Sequence, residues 1–251
     1  MAMQAICKEV SKYSLLLHER GWVANHDGNV SCRDKRKGFW ITPTAVSKRV
    51  CGPDTIVHVD YDGKILNRKR PPSEIALHLG AYRARKDQNA VIHAHSPYAS
   101  AYSLAQKDLG EVAMPEVVVS LGAYIPMVPL ILPKAPEAAD VLARWAMKSD
   151  VLLLAGNGAL AFGTDLEQAY LRLEVLEHYA RIAMLTQSMG GPRPLEASAK
   201  SHLLELRAKA GLGAPKEQTP ATARVADTSN MASAIRPLVA EELKKILGGN
   251  Q

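Results

Sequence analysis

The sequence predicts an α/β protein: a mixed sheet covered by helices on both faces, a three-layer α/β/α sandwich. Three observations carry that expectation. Short apolar runs rich in β-branched residues alternate with longer stretches whose apolar residues recur three and four apart. Some neighbouring runs are separated only by turn residues, so hairpins stand beside helical crossovers. The 251 residues are 47% hydrophobic but only 5% aromatic, enough for a sizeable core filled mainly by Leu, Val, Ile and Ala.

Residues 4 to 20 place Ile6, Val10, Tyr13, Leu16 and Leu17 at helical spacing, and Gly21 stops that helix. "NVSCR" and "FWIT" read as strands around the basic turn "RDKRKG" (Arg33 to Gly38), and "TIVHVDYDGKIL" (Thr55 to Leu66) reads as a hairpin turning at Asp62-Gly63. "PPSEIALHLGAYRAR" turns helical after its prolines, with Ser73 as the expected N-cap. "AVIHAH" is a short strand with the helix "PYASAYSLAQ" behind it; "EVVVSL" is expected as another strand. "PEAADVLARWAM" is helical, "DVLLLA" and "ALAF" are strands flanking Gly156-Asn157-Gly158, and a long amphipathic helix starts near Asp165. Beyond Gly190-Gly191 the character changes: one further helix in "LEASAKSHLLELRAKAGLG", a linker in "APKEQTPATARVADTSN", then a helix starting near Pro237 and stopped by Gly248-Gly249. The expected division is a domain over 1–191 and a helical extension with its linker over 192–251.

The net charge of +6 fits either a lysine-rich solvated surface or attraction of an anionic substrate. The basic clusters "RDKRKG" and "NRKRPP" are not interleaved with aromatics, so nucleic acid is not an expected partner. Cys7, Cys32 and Cys51 are odd in number and form no CxxC pair, which points away from a disulfide framework and toward a reducing cytoplasm. Lys8, Glu9 and Lys12 interrupt the first apolar pattern, so no signal peptide is expected, and no apolar run reaches membrane-spanning length.

Candidate chemistry gathers on four stretches. "VIHAHS" places His93 and His95 two apart on a strand, so both imidazoles leave one face and can share a divalent metal; alone, this is equally what two satisfied core histidines look like. Glu74, at the start of the helix leading into that strand, is either a favourable charge near a helix N-terminus or a general acid/base beside the metal. Gly28-Asn29 in "NHDGNVSCR" can offer backbone N–H groups and an amide to an anion, and equally reads as an ordinary Asp-Gly turn. "ITPTAVSK" lines up the hydroxyls of Thr42, Thr44 and Ser47 near a proline turn.

Taken together and in order, "GNVSCR", "ITPTAVSK", "PPSEIALHLGAYRAR", "NAVIHAHSPYAS" and "LLLAGNGALAFGTDLEQAY" make the chain resemble the class II aldolase/adducin family over roughly residues 4 to 190. The resemblance implies a mainly antiparallel central sheet and a homotetramer with active sites at subunit interfaces. It implies an aldolase-type carbon–carbon lyase acting on a small hydroxy-carbonyl, sugar-phosphate-like substrate through a metal-stabilised enediolate, with zinc the usual metal. By position, Glu74 matches the proton-moving carboxylate, His93 and His95 match the first two metal ligands, and Gly28, Asn29, Thr44 and Ser73 match substrate-phosphate positions.

The departures are specific. The family's third metal-ligating histidine is Asn157 here, a neutral amide that softens zinc binding and favours a metal such as Mn²⁺. Pro72 stands where a serine is common, Ala45 where a glycine is common, and His26 where small residues are usual. His26 is therefore either a substrate contact, a replacement ligand or a surface histidine. These changes bear on phosphate specificity. They leave decarboxylase, dehydratase or epimerase chemistry at the same site, and a non-catalytic adducin-like assembly module, as alternatives.

Overall fold

The computed structural model describes residues 3–34, 37–132 and 134–216. In chain order these form α1 (Met3–Glu19), β1 (Asn29–Asp34), β2 (Gly38–Ile41), β3 (Val57–Val59), α2 (Ile75–Ala84), β4 (Ala90–Ala94), α3 (Pro97–Ala105), α4 (Pro115–Leu121), β5 (Met127–Val128), α5 (Ala138–Ala146), β6 (Val151–Leu154), β7 (Ala159–Gly163), α6 (Leu166–Thr186) and α7 (Ala197–Lys209). The strands make one sheet in the order β3-β2-β1-β4-β7-β6-β5, antiparallel at every pairing except β5 with β6. The α/β sandwich with a mixed, mainly antiparallel sheet is thus the observed fold.

Period-two alternation along the central strands divides the interior into two cores. Ile92, Val151, Leu153, Ala159 and Ala161 face the layer of α1, α3, α4 and α6, and the alanines let α6 lie close to the sheet. Val91, Leu152, Leu154, Leu160 and Phe162 face the opposite layer of α2 and α5, where Leu77, Tyr82, Leu142 and Ala146 complete the packing. Burial on both faces explains why these strands read as unbroken apolar runs.

Three local expectations are corrected. "EVVVSL" is helix α4, not a strand. Pro115 supplies a preset φ at the first helical position, and Val117, Val118 and Leu121 bury one face, so packing overrides β-branched propensity. The hairpin expected over Thr55 to Leu66 keeps its turn, with Gly63 at φ +89°, but its return arm touches β3 through the single bridge Val59–Ile65. Asn67 takes the place of a longer ladder: its Oδ1 accepts from the His58 N–H and its Nδ2 donates to the Ile56 carbonyl. Ser73 is not the N-cap of α2. Glu74 holds that position without a side-chain capping bond, because its carboxylate is drawn elsewhere.

Helix α7 packs on α4, and Arg207 donates to the Val119 and Ser120 carbonyls and to Asp150. The tip of the β1–β2 loop (35–36), the linker beyond residue 216 and the helix expected near Pro237 lie outside the described residues. Among the described residues no helix is long and apolar enough to cross a membrane.

Candidate active site

Antiparallel pairing brings the start of β1, the end of β4 and the start of β7 to one end of the sheet. Asn29 sits opposite His93, and Ala94 opposite Ala159. His93 shares Val91's face of β4, so it points toward α2, where Glu74 begins the helix. Two glycines make the approach possible. A Cβ on Gly28 would lie 2.6 Å from Val23 Cγ1 and 3.0 Å from the His93 carbonyl; one on Gly158 would lie 2.4 Å from the Ala94 carbonyl. Both have φ +68°, where L side chains are strained. Ser103 Oγ then receives the Asn157 and Gly158 N–H groups, each at 3.1 Å, which fixes the Gly-Asn-Gly turn.

Glu74 is gripped by two amides. Asn157 Nδ2 donates to Oε1 at 2.7 Å, and Asn29 Nδ2 donates to Oε2 at 3.0 Å. Asn29 is oriented in turn by a buried chain of hydrogen bonds. Its Oδ1 can only accept, so His78 Nε2, 2.6 Å away, carries the ring proton. His78 Nδ1 then accepts from Ser31 Oγ at 2.7 Å, and Ser31 accepts from the Tyr82 hydroxyl at 2.8 Å. Burial, with the nearby His93 charge, pushes the His78 pKa down to about 3, so its ring stays neutral. For Glu74, burial acts upward, but the facing His93 and the two amides outweigh it and hold the carboxyl well below the usual range.

His93 is fully buried. Its Nδ1 lies 3.0 Å from the Ala159 carbonyl and so bears the proton, leaving a lone pair on Nε2 in the neutral ring. That Nε2 has no hydrogen-bond partner, yet sits 3.3 Å from Glu74 Oε2. Two acceptors face each other, which calls for a proton or a cation. Burial disfavours charge on His93, but the Glu74 carboxylate and the Ala159 carbonyl prevail and raise its pKa. The His95 ring lies 5.1 Å from that of His93, with Nε2 3.1 Å from Asn157 Oδ1; burial and His93 lower its pKa. Among the described residues no three His, Cys, Asp or Glu side chains form a ready metal cluster. Two imidazoles, one of them with an orphaned buried lone pair, and an amide oxygen nevertheless converge here, a donor set that suits a borderline divalent cation with a neutral third ligand.

The remaining predicted residues lie around this centre. Gly28 and Asn29 belong to it. Ser73 is exposed and lines a shallow cleft with Glu74, Leu77, Ile131, Leu132 and Asn157. Thr44 is half-buried, its N–H donating to the Arg70 carbonyl, while Thr42 serves the β1–β2 pairing and Ser47 caps a short turn. His26 is exposed, and its backbone carbonyl is engaged by Lys48 Nζ at 3.1 Å. Four residues of the assembly were not among the candidates: Asp27, whose Oδ2 lies 3.5 Å from His95 Nδ1, and Ser31, His78 and Tyr82. The spacing of Glu74, His78 and Tyr82 along α2 was the available signal, since positions four apart share a helix face.

Residues 8–184 match the family model described as Class II Aldolase and Adducin N-terminal domain. L-fuculose phosphate aldolase of Methanococcus vannielii is 34% identical over 183 residues, covering 72% of this chain and 97% of the relative. The 3-oxo-tetronate 4-phosphate decarboxylase of Escherichia coli K12 is 29% identical over 208 residues, 81% of this chain and 96% of the relative. The crystal structure of L-fuculose-1-phosphate aldolase from Thermus thermophilus superimposes with a TM-score of 0.66 at 26% identity, covering 76% of this chain and 100% of that one.

Proposed function

Because the chain belongs to the class II aldolase and adducin family and is an enzyme, we propose that it is a metal-dependent carbon–carbon lyase of aldolase type, acting on a small hydroxy-carbonyl, sugar-phosphate-like substrate. The observation that carries this is Glu74: an ionised carboxylate gripped by two amides, with one oxygen against the free lone pair of His93. His93, His95 and Asn157 would hold the cation, zinc or, given the amide, Mn²⁺. Such a cation supplies Lewis acidity to a carbonyl and its neighbouring hydroxyl. Glu74 moves the proton between substrate oxygen or carbon and its own Oε atoms, and Asn29 and Asn157 keep it aimed. Gly28, Asn29, Thr44 and Ser73 are the proposed substrate anion contacts, and His26 stands on the exposed edge of the same loop.

Decarboxylation is the second reading. It is favoured by the replacement of a hydroxyl by Pro72 and by the named decarboxylase relative. It uses the same residues, with Glu74 returning a proton to carbon after CO₂ leaves. The reading further takes 1–191 as the catalytic domain and 192–251 as an extension, in a cytoplasmic homotetramer with interfacial sites. The three unbridged cysteines accord with the compartment.

The deciding experiment assays purified protein with Zn²⁺ or Mn²⁺ for retro-aldol cleavage of ketose 1-phosphates and for CO₂ release from 3-oxo-tetronate 4-phosphate. Glu74→Gln is expected to lower turnover by about 10²–10⁴-fold. Full activity in that variant, or in metal-stripped protein, overturns the proposal.

A further inference from the structure

We infer that Asp27 is a positioning carboxylate for the metal centre: its Oδ2 takes the Nδ1–H of His95, so that His95 Nε2 turns a lone pair toward Asn157 and the cation. The inference rests on the metal-dependent reading above. A neutral imidazole carries one N–H, and His95 faces an acceptor on each side, Asn157 Oδ1 at 3.1 Å and Asp27 Oδ2 at 3.5 Å. Asn157 cannot turn to resolve this, because its Nδ2 is committed to Glu74 Oε1 at 2.7 Å and a flip would set two oxygens against each other. With Nε2 given to a cation, the ring proton sits on Nδ1, the nitrogen that faces the Asp27 carboxylate at 3.5 Å. That placement leaves three lone pairs without a donor in one corner: His95 Nε2, Asn157 Oδ1 and His93 Nε2, the last already unpartnered and buried. Three such lone pairs converging are what a cation requires.

Asp27 is built to hold this place. Its Oδ1 accepts the Ala24 N–H at 2.5 Å, so the carboxylate is fixed within the loop. Lys48, only 2% exposed, clamps the preceding residue through the His26 carbonyl. A carboxylate on the far nitrogen of a ligating histidine raises its basicity and sets its orientation. That compensates for Asn157, which brings neither charge nor a strong donor. The loop residue that completes the centre is thus Asp27, not the neighbouring His26, whose ring is exposed.

The test is calorimetric titration of chelator-stripped protein with Zn²⁺ and Mn²⁺, comparing the natural chain with Asp27→Asn and Asp27→Ala. Asp27→Asn keeps an oxygen for Ala24 but presents an N–H₂ to His95 Nδ1, which forces the ring proton to Nε2. It is expected to weaken metal binding about 10- to 100-fold, with the melting temperature of the stripped protein unchanged. Long-range ¹H–¹⁵N spectra of the metal-loaded natural chain are expected to show His95 protonated at Nδ1. Equal affinity in natural chain and Asp27→Asn, or a proton on Nε2 of the loaded protein, overturns the inference while leaving the metal reading intact. Failure of the natural chain to bind either metal overturns both. Asp27→Ala separates the loop's role: a lower melting temperature in that variant alone marks the loss of the Ala24 bond, and an affinity no weaker than that of the natural chain counts against the inference.

Discussion

Glu74 owes its ionisation to sequence-distant neighbours, His93 in β4, Asn157 in the β6–β7 turn and Asn29 at the start of β1, and each of those neighbours has a cost that a substitution can expose. His78 is the buried hinge of the chain from Tyr82 to Asn29. Its folded pKa is depressed to about 3 from an ordinary 6.5. The unfolded state therefore binds the extra proton first: His78 contributes full stability above the ordinary value, and that contribution is lost as pH falls from there toward 3. His78→Gln, which retains an N–H for Asn29, is expected to flatten the pH dependence of urea stability in that window by up to about 1.4 kcal/mol per pH unit; an unchanged slope would show that the folded ring titrates as it does in the unfolded chain. Ala45 holds φ +57°, a conformation that costs an L-residue about 1–2 kcal/mol. Ala45→Gly removes that strain against an unfolded-state penalty of about 0.5–1 kcal/mol, so a net gain of about 0.5–1 kcal/mol in denaturant unfolding is expected, and a loss would refute the strain. At this scale strand period made His93 and His95 legible as a pair, and the class II aldolase resemblance set Glu74 and Asn157 beside them. Asp27, Ser31, His78 and Tyr82 escaped because their partners lie on other elements, His95 beyond β4 for Asp27 and the meeting of α2 with β1 for the other three.

Asp150, a fully buried carboxylate one residue before β6, ties three helices to the sheet. It meets Arg85 at the end of α2 at 2.7 Å, Arg172 in α6 at 2.9 Å and Arg207 in α7 at 3.0 Å. Asp87 also pairs with Arg85, and with Gln88 it keeps a carboxyl pKa of about 2 against the pull of burial. Three guanidiniums converge on this one buried acid, so removing its charge takes away the carboxylate they share in the interior. Asp150→Asn is expected to cost about 3–5 kcal/mol in chemical denaturation; a loss below about 1 kcal/mol would show that the arginines find other partners. Nothing in the linear pattern marks Asp150 as a junction, since it stands one residue before an apolar run and looks like a strand border. The reverse holds for β4, β6 and β7, where apolar runs bounded by glycine or by the His-Ser-Pro sequence define the strands directly. Helix α4 escaped the pattern because a valine triplet is a strong strand signal until Pro115 and the packing of one face decide otherwise.

The sheet brings the start of β1, the end of β4 and the start of β7 to one end, so a cation held there by His93, His95 and Asn157 would tie β4 to the β6–β7 turn. His93 stands one residue before the end of β4, His95 just beyond it, Asn157 lies in the β6–β7 turn, and Asn29 opens β1 with Glu74 leaning across from α2. In the unfolded chain His93 and His95 stay two residues apart but Asn157 lies far from them, and two neutral imidazoles with an isolated amide bind metal weakly. A ligand that prefers the folded state at a hundred times its dissociation constant adds about 2.7 kcal/mol. For a folded unit of this size that corresponds to a rise of roughly 5–10 °C in melting temperature. Zn²⁺ or Mn²⁺ is expected to produce such a shift and excess chelator to reverse it. His93→Ala removes one donor and, with it, the metal-dependent part of the shift, whatever it does to the stripped protein. A melting temperature indifferent to both ions in the natural chain would mean that the convergence of His93, His95 and Asn157 is satisfied by protons alone.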